Sequence, residues 1–260
     1  PCVLCNQDLK FGTLVDLADQ LDCKHIGTGH YAKIEQDPET GRYLLRKGSD
    51  PKKDQSYFLF SLTQSQLKRA IMPLGSLNKE TVRGIARRYK LKTAEKPESQ
   101  ELCFIADDDY KRFLKDRIPE QIQKGEIVDQ NGEKLGHHKG IPFYTVGQRR
   151  GLGIAVGEPI YVTEIKTETN TIVVGQADEL LRESMVVNQL NWISFDNLTE
   201  PVRAKIKIRY RDQGEMATVT PTADGKVKVV FDQPRRAIAP GQAAVFYDRD
   251  LVIGGGWIEA

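Results

Sequence analysis

The sequence predicts an α/β piece followed by two β-rich pieces, and three observations carry that reading. Apolar residues recur at helical spacing in segments between about residues 7 and 90. Helical patterning then fades after a short stretch from Tyr110 to Leu114. From Gly125 onward, strand-like segments alternate with hairpin dipeptides. Boundaries near 108 and 181 give pieces 1–108, 109–180 and 181–260, the last of a size suited to a small β-barrel. No internal repeat or low-complexity tract is visible.

In chain order, Asn6 is a candidate cap for a helix over about 7 to 21, with Leu9, Leu14, Leu17, Ala18 and Leu21 as its apolar stripe and Gly12 as a weak point. A short strand ends in Gly27-Thr28-Gly29-His30. Tyr31–Ile34 and Tyr43–Arg46 flank the turn residues Asp37-Pro38-Glu39-Thr40-Gly41 and read as a hairpin. A polar loop, Asp50 to Ser56, leads into Tyr57-Phe58-Leu59-Phe60. Thr63 and Gln66 have capping-box spacing before a short helix that Pro73 and Gly75 should end. Asn78 can cap a further helix with Val82, Ile85, Ala86 and Tyr89 facing inward and Arg87, Arg88 and Lys90 at its negative end. Later turns are predicted at Asn131-Gly132, Thr169-Asn170 and Asp224-Gly225.

With 39% hydrophobic and 28% charged residues over 260 positions, the chain has the composition of an ordinary globular protein with material for real cores. No apolar run approaches bilayer length and no signal-peptide pattern opens the chain. It begins with Pro rather than Met, which predicts a longer parent protein. Four cysteines, at 2, 5, 23 and 103, do not make a disulfide framework at this length and favour a reducing, cytoplasmic setting.

The net charge of +2 says less than its distribution. In Arg203-Ala204-Lys205-Ile206-Lys207-Ile208-Arg209-Tyr210-Arg211 the cations alternate with apolar residues, so a strand would turn all of them to one side. Such a face is either solvated and balanced by neighbouring acids or turned to the phosphates of a nucleic acid. Basic loops at Gln148-Arg149-Arg150-Gly151 and Pro234-Arg235-Arg236 favour an RNA partner over a small anion.

The thiols allow three readings. Cys2-Val3-Leu4-Cys5, with Cys23, His25 and His30, could staple a non-catalytic RNA-binding module around zinc. A redox pair lacks its preceding strand. The third pairs an early cysteine with Cys103. Cys5 is expected at the start of its helix and Lys96 near Cys103, both settings that favour thiolate. Two such thiols could divide a sulfur transfer, one carrying a persulfide and the other attacking it. Cys23 reads as a small core residue.

Six motifs in order carry a resemblance over the whole chain. They are Pro1-Cys2-Val3-Leu4-Cys5-Asn6, Thr28-Gly29-His30-Tyr31, Lys53-Asp54-Gln55-Ser56-Tyr57, Ser99-Gln100-Glu101-Leu102-Cys103-Phe104-Ile105, Tyr144-Thr145-Val146-Gly147-Gln148-Arg149 and Pro240-Gly241-Gln242. The chain resembles the bacterial tRNA-specific 2-thiouridylase family. The resemblance implies the back part of an adenine-nucleotide α-hydrolase-like domain, a small β-rich central domain and a C-terminal β-barrel. It implies an enzyme that uses ATP and Mg²⁺ to replace the C2 oxygen of a tRNA wobble uridine with sulfur received from a carrier protein.

By the same resemblance Cys103 carries the persulfide and Cys5 is the partner thiol that closes a disulfide with it. The resemblance also implies that Gly29 lies against ATP and that His30, Lys53, Asp54, Gln55, Arg209, Tyr210 and Gln242 touch tRNA. Two departures stand out. The family's Ser-Gly-Gly-x-Asp-Ser pyrophosphatase loop is absent, so this chain should lack most of the ATP site and be inactive alone. Cys2 also stands where some members carry an Asp, which leaves the acid/base role unassigned.

Overall fold

The computed structural model describes residues 1–95, 102–105, 107–154 and 157–259. They fall into two compact units, one made of Pro1–Glu98, Val186–Asp232 and Gly241–Glu259, the other of Ser99–Met185 and Gln233–Pro240.

The first unit opens with an unbroken helical run: an α-turn Cys2–Leu4, a π-helix Cys5–Thr13 and an α-helix Leu14–Gln20. The helix therefore starts at Cys2, and Asn6 is not its cap. Asn6 sits inside it, 3% exposed, with Nδ2 donating to the Phe58 carbonyl at 3.3 Å. The π-segment has a tertiary support: Gln66 Nε2 donates to the carbonyls of both Gln7 (3.0 Å) and Phe11 (2.9 Å). Its wider turns rotate the apolar register away from the stripe expected at 3.6-residue spacing. Val3, Phe11 and Ala18 are buried, whereas Leu14 and Leu17 are exposed, with Leu9 at 59% and Leu21 at 65%. Cys23, expected in a core, is also exposed; it lines a concavity with Asp19, Asp22, Lys24, His25, Lys68 and Arg69.

Next come β1 (Ile26–Gly27), β2 (Ala32–Gln36), β3 (Tyr43–Lys47) and β4 (Ala70–Ile71). Strands β2 and β3 form the expected hairpin, its turn tied by Asp37 accepting from Glu39 N and Thr40 Oγ1. The Thr63–Gln66 capping box forms as read, opening the helix Gln64–Arg69. That helix stops before Pro73 because Ala70 turns extended to pair in parallel with Ile26. Asn78 caps the helix Lys79–Arg88, but none of that helix is buried and the expected inward residues Ile85 and Tyr89 are exposed. Val82 and Ala86, also expected to face inward, are half-buried.

In the second unit the helix Tyr110–Arg117 precedes β5 (Gly125–Val128), β6 (Lys134–His138), β7 (Tyr161–Lys166) and β8 (Thr171–Gly175). Their order is β6-β5-β8-β7, with Gly132 and Asn170 at positive φ in the predicted turns. Ile127, Val162, Ile172 and Val174 form its core.

The C-terminal strands are β9 (Leu181–Trp192), β10 (Val202–Lys207), β11 (Glu215–Pro221), β12 (Val227–Arg236), β13 (Ala243–Asp248) and β14 (Leu251–Ile258). They run β13-β10-β11-β12-β9-β14 and close through β13–β14, a six-stranded barrel. The β2–β3 hairpin extends the sheet from β14. At Gly255 an added Cβ would stand 2.6 Å from Phe60 Cδ2 and 2.6 Å from the Ala244 carbonyl, so only glycine lets Phe60 pack on this wall.

The alternation in β10 holds where the strand exists: Ala204 and Ile206 are buried, as is Ile208 beyond its end, while Arg203 and Lys205 are exposed. The strand ends at Lys207, earlier than expected. Asp212 accepts from Ile208 N (3.0 Å) and Gly214 N (3.1 Å), with Gly214 at φ +78°, and pulls the chain into a turn. Arg209, Tyr210 and Arg211 stand on that turn. No helix among the described residues is long and apolar enough to cross a membrane.

Candidate functional site

Within the first unit, segments far apart in sequence converge on Tyr57 and Phe58, in the 3₁₀ turn Ser56–Leu59. From the helix bearing Cys5, Asn6 donates to the Phe58 carbonyl. The Tyr210 ring packs on Phe58 with centroids 4.4 Å apart, and Tyr57 is 6.3 Å from Tyr210. Tyr57 Oη donates to the Ala243 carbonyl at 2.9 Å, next to exposed Gln242. Gln242 is held in turn, its carbonyl accepting from Ile258 N at 2.9 Å. Burial raises the Tyr57 phenol well above its ordinary range, so it stays a neutral donor.

The loop before Tyr57 is internally tied. Asp54 is buried: Oδ1 accepts from Gly48 N and Ser56 N, both at 3.1 Å, and Oδ2 from Ser56 Oγ at 3.0 Å. Gln55 Oε1 accepts from Tyr31 N (3.0 Å) while Gln55 N donates to the Tyr31 carbonyl (2.9 Å). Lys53, half-buried, donates its N–H to the Asp50 carbonyl. Asp54 thus shapes the loop that presents Lys53 and Gln55.

His30 is buried, its Nδ1 2.9 Å from Thr28 Oγ1 and its ring 5.9 Å from that of Phe11. Burial, with Lys10 nearby, lowers its pKa to about 4, so it is neutral at physiological pH. The exposed backbone of Gly29 lies just past the C-terminal end of β1, the end at which open parallel sheets take ligands. An added Cβ there would meet only Leu74 Cδ1, at 3.7 Å, and at Gly27 nothing within 4 Å. That open backbone fits a nucleotide lying against it.

Cations gather beside the rings. Lys207 Nζ is 5.9 Å from the ring centres of both Tyr57 and Tyr210. Lys47 Nζ sits 4.3 Å from the Tyr247 ring centre and donates to the Arg249 carbonyl. Burial lowers the pKa of both lysines; Asp54 opposes this in each, and Lys205 adds to it. Sequence reasoning missed Lys47 and Phe58, and gave Asn6 a capping role instead of its bond to Phe58. Lys47 ends a plain hairpin strand, and no local pattern marks it. Arg203, by contrast, is held bidentately by Asp232, the balancing acid that the solvated reading of this strand requires.

All four cysteines are free. Cys5 is half-buried and lies one turn into its helix, its N–H donating to the Pro1 carbonyl at 2.8 Å, so its expected placement at the helix start does not hold. Cys103 is exposed, in a turn closed by Ile105 N donating to the Leu102 carbonyl at 2.9 Å, and belongs to the second unit. Lys96, expected near it, lies outside the described residues, as do Ser99, Gln100 and Glu101 of its motif. Among the described residues no group of three or more His, Cys, Asp or Glu side chains is placed to hold a metal ion, which removes the ligand set required for a zinc staple.

Known families match in the same order. A tRNA methyl transferase HUP domain model covers residues 1–107, a tRNA methyl transferase PRC-barrel domain 111–176, and an aminomethyltransferase β-barrel domain 182–258. The tRNA-specific 2-thiouridylase MnmA of Carboxydothermus hydrogenoformans is 48% identical over 259 residues, 100% of this chain and 71% of the relative. That of Symbiobacterium thermophilum is 47% identical over 260 residues, covering 100% and 67%, and that of Acetivibrio thermocellus 48% identical, covering 100% and 72%. The domain descriptions speak of methyl transfer, but identity along the whole chain outweighs a domain label.

The chain belongs to the tRNA-specific 2-thiouridylase family. The family's fold order, an α/β HUP domain and then two β domains ending in a barrel, agrees with the order read from the sequence. HUP-family membership also agrees with the use of ATP.

Proposed function

We propose that this chain carries the tRNA-facing and sulfur-transferring part of a cytoplasmic tRNA 2-thiouridine synthase. The observation that carries the reading is the convergence on Tyr57 and Phe58 of the Cys5 helix, the Lys53–Gln55 loop, the Arg209–Tyr210 turn and Gln242. Lys53, Gln55, Arg209 and Gln242 contact tRNA, with Tyr210 as a stacking surface and buried Asp54 and His30 supporting from below. We read the domains as 1–108, 109–180 and 181–260, supported by the family matches that change near 107–111 and 176–182.

ATP, when bound, supplies the activation of the uridine C2 oxygen as a leaving group. Of the residues here, Gly29 offers it open backbone. Among the described residues no carboxylate cluster is placed to hold Mg²⁺.

Cys103, exposed to a carrier protein, receives sulfur as a persulfide. The Cys5 thiolate attacks the inner sulfur, forming the Cys5–Cys103 disulfide and releasing hydrosulfide with the electron pair of the broken S–S bond. Hydrosulfide displaces the activated oxygen at C2, and an external thiol reductant restores both cysteines. The uridine must leave the anticodon stack to reach the sulfur. In the full-length enzyme, Cys5→Ser and Cys103→Ser should each abolish thiolation in a single-turnover assay while leaving tRNA affinity largely intact. Retained turnover in either variant removes the mechanism.

A further inference from the structure

A basic loop at Arg149 and the end of strand β12 at Arg236, where the sequence predicted a second loop, meet at one tyrosine of the second unit. The guanidinium carbon of Arg236 lies 4.2 Å from the ring centre of Tyr161. Arg236 first, and Arg149 with it, hold the Tyr161 phenol below its ordinary pKa. Both arginines are exposed and the tyrosine half-exposed.

The cluster is built in place. Gly147, at φ +87°, donates its N–H to the Val162 carbonyl at 2.7 Å, and Val162 N donates back to the Gln148 carbonyl at 2.9 Å. The loop bearing Arg149 is thereby fastened to β7 beside Tyr161. Gln148 closes it further, with Nε2 donating to the Arg150 carbonyl at 2.9 Å. On the other side, Ala237 N donates to the Leu180 carbonyl at 3.1 Å and fixes the chain just after Arg236.

Other arginines have acids facing them: Arg112 pairs with Asp107 and Asp116, Arg46 with Glu35 and Asp250, Arg203 with Asp232. Among the described residues, Arg149 and Arg236 have no such ion pair. Two acids on adjoining segments bond to Gln176. Glu158 accepts from Gln176 Nε2, and Glu179 accepts from Gln176 N. Two unneutralised cations held side by side repel each other, and an anion between them relieves that repulsion.

We propose that Arg149, Tyr161 and Arg236 form a binding site for a phosphodiester of the RNA backbone. Planar guanidinium groups give paired donors suited to phosphate oxygens, and the Tyr161 hydroxyl adds a third donor between them. Stacking on the ring fixes the plane of Arg236 and leaves its edge for the ligand. No base edge is read there, so the site holds tRNA by position without selecting sequence. This deepens the proposed function and rests on it.

The test uses the full-length enzyme and an unmodified tRNA transcript, with affinity measured across salt concentrations. The double variant Arg149→Ala/Arg236→Ala should bind roughly tenfold more weakly at physiological salt. Its slope of log affinity against log salt should be shallower by roughly one to two. The double Lys variant should keep most of the slope, which separates lost charge from lost folding.

Wild-type slope and affinity in the Ala variant overturn the site while leaving the function reading intact. Failure of the parent enzyme itself to bind tRNA defeats the function reading and the site together. Unchanged tRNA binding with loss only of sulfur uptake from the carrier protein also overturns the proposal, in favour of an acidic protein surface at these arginines.

Discussion

The two thiols of the proposed reaction sit in opposite kinds of surroundings. Cys5 lies in a helix packed through Val3 and Phe11 into the barrel-side core, flanked by buried Asn6 and supported by Gln66. Cys103 lies exposed in a turn beside Phe104, which is 49% exposed and touches the Phe113 ring at 5.6 Å. The difference matches a division of labour. A thiol that takes sulfur from another protein must be reachable, whereas the thiol that resolves the persulfide must be kept from reacting early. One is presented; the other is held.

The largest effect expected from breaking this contrast is on chemistry. Either cysteine variant should lower single-turnover thiolation by roughly 10³-fold or more, since each supplies a bond-forming sulfur. A next effect sharpens the held side. His30 has its folded pKa lowered to about 4 from an ordinary 6.5. Between those values the unfolded chain binds the extra proton, so the contribution is complete above pH 6.5 and is lost as pH falls toward 4. Up to about 3 kcal/mol should disappear over that window, and His30→Gln should flatten the slope in denaturant titrations.

Gln66→Ala, which strips donors from the Gln7 and Phe11 carbonyls, should cost about 1–3 kcal/mol by the same titration. On the presented side, Phe104→Ala should cost less than about 1 kcal/mol, because that ring is half in water already. Equal costs for Gln66→Ala and Phe104→Ala would erase the contrast between a held and a presented thiol.

What the sequence made legible follows the range of the forces involved. The capping box at Thr63, the Asn78 cap and the turns at Asn131-Gly132, Thr169-Asn170 and Asp224-Gly225 are local hydrogen-bond chemistry, and all formed. The barrel class followed from the size of the last all-β piece and from the family resemblance. The π-helix was not legible, because its carbonyls are satisfied by Gln66, more than fifty residues away. Nor was the fate of Leu9, Leu14, Leu17 and Leu21: periodicity reveals that a helix has an apolar face but not what covers it.

The end of β10 could have been read from Asp212-Gln213-Gly214, a turn sequence outranked by the alternation before it. For the candidate site, the family motifs supplied the residues. The hub that joins them, Phe58 with Asn6 on one side and Tyr210 on the other, is a tertiary fact that no spacing encodes.

The most direct test of the central claim is non-reducing peptide mass spectrometry of the full-length enzyme after one turnover with tRNA, ATP and a persulfide-loaded carrier. A Cys5–Cys103 disulfide formed in step with 2-thiouridine is the predicted result. Thiolated tRNA accompanied by two unlinked cysteines would contradict it.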